Sequence, residues 1–300
     1  VGRRPESADF SRATRSRILR NVLFRAAHSM KLQNYSVGEG SPLLLISGPC
    51  VIESLDLCRR VAETMCAISQ KLGVNYVFKA SFDKANRTSI ASHRGPGIHE
   101  ALAVFQAIKD EFGVPVTTDV HESHQPEIVG EVVNLLQIPA FLCRQTDLLL
   151  ASGEAAARFG GAVNVKKGQF LRPENMEHAV KKVRSAGCED VLLTERGTTF
   201  GYDSLVVDFR GLEIMREFGP VCLDATHSVQ KPGGAGDKTG GDSRFVPGLV
   251  RAACAVGTDA LFIETHPTPE TAWSDGPNMV PLSEMEALLK RALAIRAAAV

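Results

Sequence analysis

The stretch LLLISGPCVIESLDLCRRVAETMCAISQKLGVNYVFKAS, residues 43 to 81, passes through three patterns in turn. An aliphatic run stops at Gly48-Pro49-Cys50. A segment with helical spacing follows and ends at Gly73, a residue able to close a helix in the left-handed conformation. A second strand-like run, NYVFKAS, occupies residues 75–81. The order is strand, helix, strand.

That alternation continues to the C-terminus. Aliphatic or β-branched runs recur at VPVTTDV (114–120), VNLLQIP (133–139), AVNVKK (162–167), DVLLTE (190–195), PVCLDA (220–225) and DALFIET (259–265). Helical segments such as IHEALAVFQAIKDEFG, ENMEHAVKKVRSAG and FVPGLVRAACAVG separate them. Eight such units predict an α/β fold closed as a (β/α)8 TIM barrel, in preference to an open doubly wound sheet. No linker interrupts the pattern, so residues 30–300 are expected to form a single catalytic domain. MKLQNYSVGEGSP (30–42) is expected to add a short N-terminal β-hairpin beneath the barrel.

The bulk composition excludes some classes of partner. With 34 Lys and Arg against 34 Asp and Glu, bulk charge does not hold this chain to nucleic acid or to a membrane surface. Any anion must be bound locally. No apolar stretch approaches the ~20 residues of a membrane span. The seven cysteines are scattered and form no CxxC pair, which fits a reducing cytoplasm better than a disulfide framework. Residues 1–29 differ from the rest: Arg3, Arg4, Arg12, Arg15, Arg17, Arg20 and Arg25 face only Glu6 and Asp9. This segment reads as a disordered Arg-rich extension, with a targeting peptide as the alternative.

In a barrel of this kind the chemistry sits at the C-terminal tips of the strands. Polar residues collect there in nearly every unit: Cys50, Lys79 and Ser81, Asp119 and His121, Gln137, Lys166, Arg196, His227 and Glu264. Side chains alternate along a strand, so Lys166 shares a face with Asn164 while Val163, Val165 and Lys167 take the other. Lys166 therefore points into the mouth, and Lys167 is structural. Lys79, Lys84, Arg87, Lys166 and Arg196 converging on one mouth would repel one another unless anions bind, which predicts a site for phosphate and carboxylate groups.

Closure also makes the last strand a neighbour of the first. The tips of strands seven, eight and one then bring His227, Glu264 and Cys50 to one rim, and Asp275 in the WSDGPN loop can reach it. A thiolate, an imidazole and two carboxylates suit a borderline divalent ion such as Zn2+, Fe2+ or Mn2+. The glycine-rich stretches RGTTFGYD (196–203) and KPGGAGDKTGG (231–241) border this rim and read as candidate lid loops.

Taken together, FKASFDKANRTS (78–89), HRGPG, TTDVHE, QIPAFLCRQTDLL, NVKKGQF, TERGTTFGYDSLVVD, DATHSVQ and FIETHP closely resemble the 3-deoxy-D-manno-octulosonate 8-phosphate synthases. The match runs from Leu43 to the C-terminus. It implies condensation of phosphoenolpyruvate with D-arabinose 5-phosphate on the route to lipopolysaccharide. The KANRTS stretch separates this family from the related 3-deoxy-D-arabino-heptulosonate 7-phosphate synthases, which use erythrose 4-phosphate and remain the first alternative. A generic metal-assisted aldolase and a phosphosugar-binding regulatory barrel are more remote.

By position, the resemblance assigns phosphoenolpyruvate to Lys79, Ser81, Lys84, Gln137, Ala140, Lys166 and Arg196, and the sugar phosphate to Asn86, Arg87 and Asp119. Arg144 would reach that phosphate from a neighbouring subunit of a homotetramer. Lys79, Asp119, Lys166 and His227 are the expected catalytic set. Family members with a cysteine at the position of Cys50 depend on a metal, which the resemblance places on Cys50, His227, Glu264 and Asp275.

Overall fold

The computed structural model describes residues 28–86, 93–201, 204–235 and 238–299. All but the last two residues of the Arg-rich extension, and Arg87 with it, lie outside them.

The described residues open with the expected hairpin, β1 (Met30–Leu32) and β2 (Tyr35–Val37), turned at Gln33 with its positive φ of 51°. Eight parallel strands follow: β3 (Leu44–Gly48), β4 (Asn75–Lys79), β5 (Val116–Asp119), β6 (Leu135–Ile138), β7 (Ala162–Lys166), β8 (Val191–Glu195), β11 (Val221–Asp224) and β14 (Ala260–His266). Each pairs with the next. The ring closes through β11 with β14 (Cys222 opposite Ala260) and β14 with β3 (Ala260 opposite Leu44). The α-helices between and after them run Leu55–Leu72, Ile98–Phe112, Gln125–Gly130, Thr146–Phe159, Met176–Ser185, Arg210–Met215, Val246–Ala255 and Met285–Ala299. The fold is a (β/α)8 barrel.

Local chemistry sets the helix ends. Ser54 caps the first helix by accepting from the Leu57 amide at 3.1 Å, and Gly73 closes it at φ 67°. Val61, Met65 and Ile68, at helical spacing, face the barrel wall. None of the described helices is long and apolar enough to cross a membrane.

Alternation along the strands divides the apolar residues between two cores. Leu45, Tyr76, Phe78, Val163, Val165 and Leu193 pack outward against the helices. Leu44, Ile46, Val77, Leu135, Ala162, Leu192, Cys222 and Phe262 fill the barrel interior, and Met30, Leu32 and Val37 of the hairpin close it from below. Each such aliphatic side chain contributes about 1.5–3 kcal/mol on burial. The hairpin is thus a plug, fastened also by a 2.6 Å bond from the Lys31 amide to Asp190.

The two glycine-rich stretches expected as lid loops each form a two-stranded ribbon. After β8, β9 (Thr198–Gly201) pairs with β10 (Ser204–Val206); after β11, β12 (Gln230–Ala235) pairs with β13 (Lys238–Gly241). Glycine-rich composition signals a turn but cannot show that the segments flanking it pair with each other.

Candidate active site

The parity that fills the barrel with apolar side chains dictates its top layer. One step above Val77, Leu135, Cys222 and Phe262 on the inner face stand Lys79, Gln137, Asp224 and Glu264. All four are buried, as are Lys166, Arg196 and Asp119. Buried charges are costly unless paired, and the pairing here is close. Lys79 Nζ donates to Glu264 Oε1, and to the Cys50 carbonyl at 2.8 Å. Lys166 Nζ donates to Asp224 Oδ2 at 2.6 Å. An Nη of Arg196 donates to the His227 carbonyl and to Gln230 Oε1, each at 2.7 Å.

The Gly48-Pro49-Cys50 kink has a steric cause. A Cβ on Gly48 would lie 1.9 Å from the Lys79 carbonyl oxygen, so only glycine lets the tip of β3 lie against β4. Beyond the kink a Val51–Ser81 bridge restores parallel pairing, and the Ser81 amide donates to the Cys50 carbonyl at 3.2 Å. Cys50 is thereby held with its sulfur turned toward the last strand.

There the thiol donates to Asp275 Oδ2 at 3.0 Å. Potential ligand atoms of Cys50, Glu264 and Asp275 all lie within 4.8 Å of one another, a group able to hold a metal ion. Asp275 adopts φ 53°, an uncommon conformation for a residue other than glycine. Bonds from Ser274 Oγ (2.9 Å), Gln230 Nε2 (3.0 Å) and Asn278 Nδ2 (3.4 Å) fix its carboxylate. His227, the fourth ligand expected from the sequence, lies outside this cluster of three. Its Nε2 is 3.8 Å from Glu264 Oε1, and its Nδ1 is 2.8 Å from Asp224 Oδ2.

Charge and burial tune these groups in opposite directions. Burial, aided by Asp275 and Glu264, pushes the Cys50 thiol well above its ordinary value, so it stays protonated. Burial also acts to raise the Asp224 and Asp275 carboxyls. It is outweighed by His227 and Lys166 at Asp224, and by Lys84 and His227 at Asp275, so both stay ionised. Burial lowers Lys166, and Asp224 only partly offsets it.

The remaining residues expected from the sequence fall into groups. Asp119 Oδ2 meets His121 Nε2 at 2.9 Å, and Lys84 lies close enough to Asp119, Glu264 and Asp275 for their charges to act on it. Ser81 Oγ, Asp119 Oδ1 and Arg196 Nε are buried and have no hydrogen-bond partner among the described residues. Ala140 is buried at the start of a short 3-10 turn after β6, and Asn86 is exposed. Arg144 is exposed and lines a cavity of about 380 Å³ with His121, Glu122 and Thr146. Lys167 bonds to the Gly168 and Leu171 carbonyls and to Thr198, 3.5 Å from Glu195, and so knits together the segments that follow β7 and β8.

Sequence reasoning assigned no role to Asp224, Gln230 or Asn164. Asn164 bridges Gln137 and Thr194, and Gln230 links Arg196 to Asp275. Asp224 shares its parity with the interior Cys222, a signal that could have found it.

The DAHP synthetase I family model matches residues 24–296. The chain is 59% identical over 264 residues to a 2-dehydro-3-deoxyphosphooctonate aldolase of a Cyanothece species, covering 88% of this chain and 95% of that protein. It is 58% identical to the protein of the same name from a Synechococcus species over 88% of this chain and 92% of the relative. The Desulfotalea psychrophila protein of that name is 55% identical over 87% and 92%.

Proposed function

The chain belongs to the DAHP synthetase I family, and on that premise we propose that it condenses phosphoenolpyruvate with D-arabinose 5-phosphate and water. The products are 3-deoxy-D-manno-octulosonate 8-phosphate and inorganic phosphate. It is a carbon–carbon bond-forming transferase. Relatives 55–59% identical carry the name of an eight-carbon product, which favours this reaction over the seven-carbon alternative.

One observation carries the assignment of the site. Ser81 Oγ, Asp119 Oδ1 and Arg196 Nε are buried without partners in the mouth where Lys79 and Lys166 also end. Buried polar atoms are normally satisfied, so these belong to a ligand rich in acceptors and hydroxyls. Phosphoenolpyruvate and a sugar phosphate bring roughly five negative charges together. Lys79, Lys84, Lys166 and Arg196, with Ser81, Gln137 and Ala140, hold phosphoenolpyruvate against that repulsion. Asn86, Arg87 and Asp119 hold the sugar phosphate. Arg144 serves the site of a neighbouring subunit in a homotetramer, a reading supported by its exposed side chain.

The bound pair is oriented for C3 of the enol to attack the aldehyde carbon; water adds at C2, and the hemiketal phosphate releases phosphate by C–O cleavage. Lys79, Asp119, Lys166 and His227 form the catalytic set of this reading. Cys50, Glu264 and Asp275, with His227 turned toward them, suit a divalent ion such as Zn2+, Fe2+ or Mn2+, one soft donor tempered by harder ones. Such an ion supplies Lewis-acid polarisation and lowers the pKa of a bound water. Residues 30–300 act as one catalytic unit, and the seven free thiols support a reducing cytoplasm.

The test is phosphate release from phosphoenolpyruvate with each aldose phosphate in turn. Turnover with arabinose 5-phosphate and little with erythrose 4-phosphate is expected. The reverse preference would replace this reading with the seven-carbon synthase, and binding without phosphate release would replace it with a regulatory barrel.

A further inference from the structure

Asp224, at the tip of β11, is fully buried between two groups of different purpose. Its Oδ2 accepts from Lys166 Nζ at 2.6 Å and lies 2.8 Å from His227 Nδ1, an ion-pair contact whose angle falls outside hydrogen-bond alignment. Its Oδ1 accepts from the His227 amide at 2.9 Å and from Thr226 Oγ1 at 3.2 Å. Phe262 supports both partners from beneath: its ring centroid is 3.8 Å from Lys166 Nζ and 5.6 Å from the His227 ring. The His227 ring is thus held from two sides.

We propose that Asp224 is a positioning residue, holding His227 with Nε2 toward the Cys50–Glu264–Asp275 cluster and, through the same oxygen, joining that corner to Lys166. The inference rests on the divalent-ion reading above. A carboxylate beside Nδ1 keeps the proton there and leaves the Nε2 lone pair for a cation. Nε2 already stands 3.8 Å from Glu264 Oε1, so a small movement of the ring completes a fourth donor. Because Oδ2 also takes the Lys166 ammonium, any change at the His227 side alters the partner that Lys166 has when it meets an anion.

The test is a cobalt(II) titration of the metal-stripped full chain, followed by absorption rather than turnover. The wild type is expected to show a thiolate-to-cobalt charge-transfer band from Cys50 together with ligand-field bands. Asp224→Asn is expected to keep the thiolate band, change the ligand-field bands, lower cobalt affinity ~10–100-fold and weaken phosphoenolpyruvate binding in the same preparation. Wild-type affinity and ligand-field bands in Asp224→Asn would overturn the proposal. Nitrogen NMR of the zinc-loaded wild type, labelled at histidine, needs no variant. Coordination of His227 through Nε2 with a proton on Nδ1 is expected; coordination through Nδ1, or none, overturns it. A wild type lacking the thiolate band removes the divalent-ion reading and this inference together, an outcome distinct from any effect of the variant.

Discussion

The Cys50 thiol and the Asp275 carboxylate, 225 residues apart in the chain, meet at 3.0 Å. Barrel closure brings β3 beside β14, and the loop that follows β14 turns back over the gap between them. A thiol and a carboxylate brought together by the fold, next to Glu264, form a corner able to hold a cation.

Removing metal with a chelator should abolish phosphate release, and adding back single divalent ions should restore it. Cys50→Ala should weaken cobalt(II) binding by about a hundredfold or more, beyond the effect of an outer residue, and erase the charge-transfer band. A variant that keeps both the band and the activity would move the ion elsewhere.

Gly48→Ala should prise β3 from β4 at the tip. The added Cβ meets backbone, not a flexible side chain, so a stability loss of about 1–3 kcal/mol or more is expected in denaturant unfolding. Because Cys50 lies two residues on, cobalt affinity should fall with it. Unchanged stability would show that the strand tip can yield at no cost.

The hairpin plug and the Arg-rich extension should separate cleanly. A chain lacking residues 1–27 should retain its turnover and its unfolding midpoint. Leu32→Ala, emptying part of the barrel floor, should cost ~2–5 kcal/mol in unfolding experiments. Loss of turnover on trimming alone would give the extension a catalytic role.

Alkaline pH should destabilise the fold through its buried thiols. Burial pushes Cys58 up to about 12 and Cys254 up to about 11, against 9.0 when exposed. The folded state holds these protons more tightly than the unfolded one, so the stabilisation is complete below about pH 9 and is lost as pH rises through the folded values. Melting temperatures should fall between pH 9 and 11, and Cys58→Ala should flatten that slope. A slope unchanged by Cys58→Ala would assign the loss to other groups.

Much of the candidate site was readable because barrel chemistry sits where strands end, and strand ends show in a run of aliphatic residues. The choice of Lys166 over Lys167 needed only alternation: Val163 and Val165 lie in the helix-facing core with Lys167 on their side. The same rule could have marked Asp224 through Cys222, but a carboxylate's partners depend on which tips are neighbours and how far each side chain reaches. That the two glycine-rich stretches form ribbons was not legible, because antiparallel pairing across a turn leaves little trace in composition.

By itself the sequence determined the eight βα units, their closure and the polar residues carried on each tip, since these follow from alternation and helical spacing within a few residues. Only the tertiary structure decided that Asp275 is turned onto Cys50 by a left-handed backbone, that His227 rests on Asp224 beside the cluster of three, and that Arg144 lines a cavity with His121. Those outcomes depend on the paths of loops across the barrel top. A loop's path is set by contacts with residues distant in the chain, such as Gln230 and Asn278 on Asp275, which no local pattern encodes.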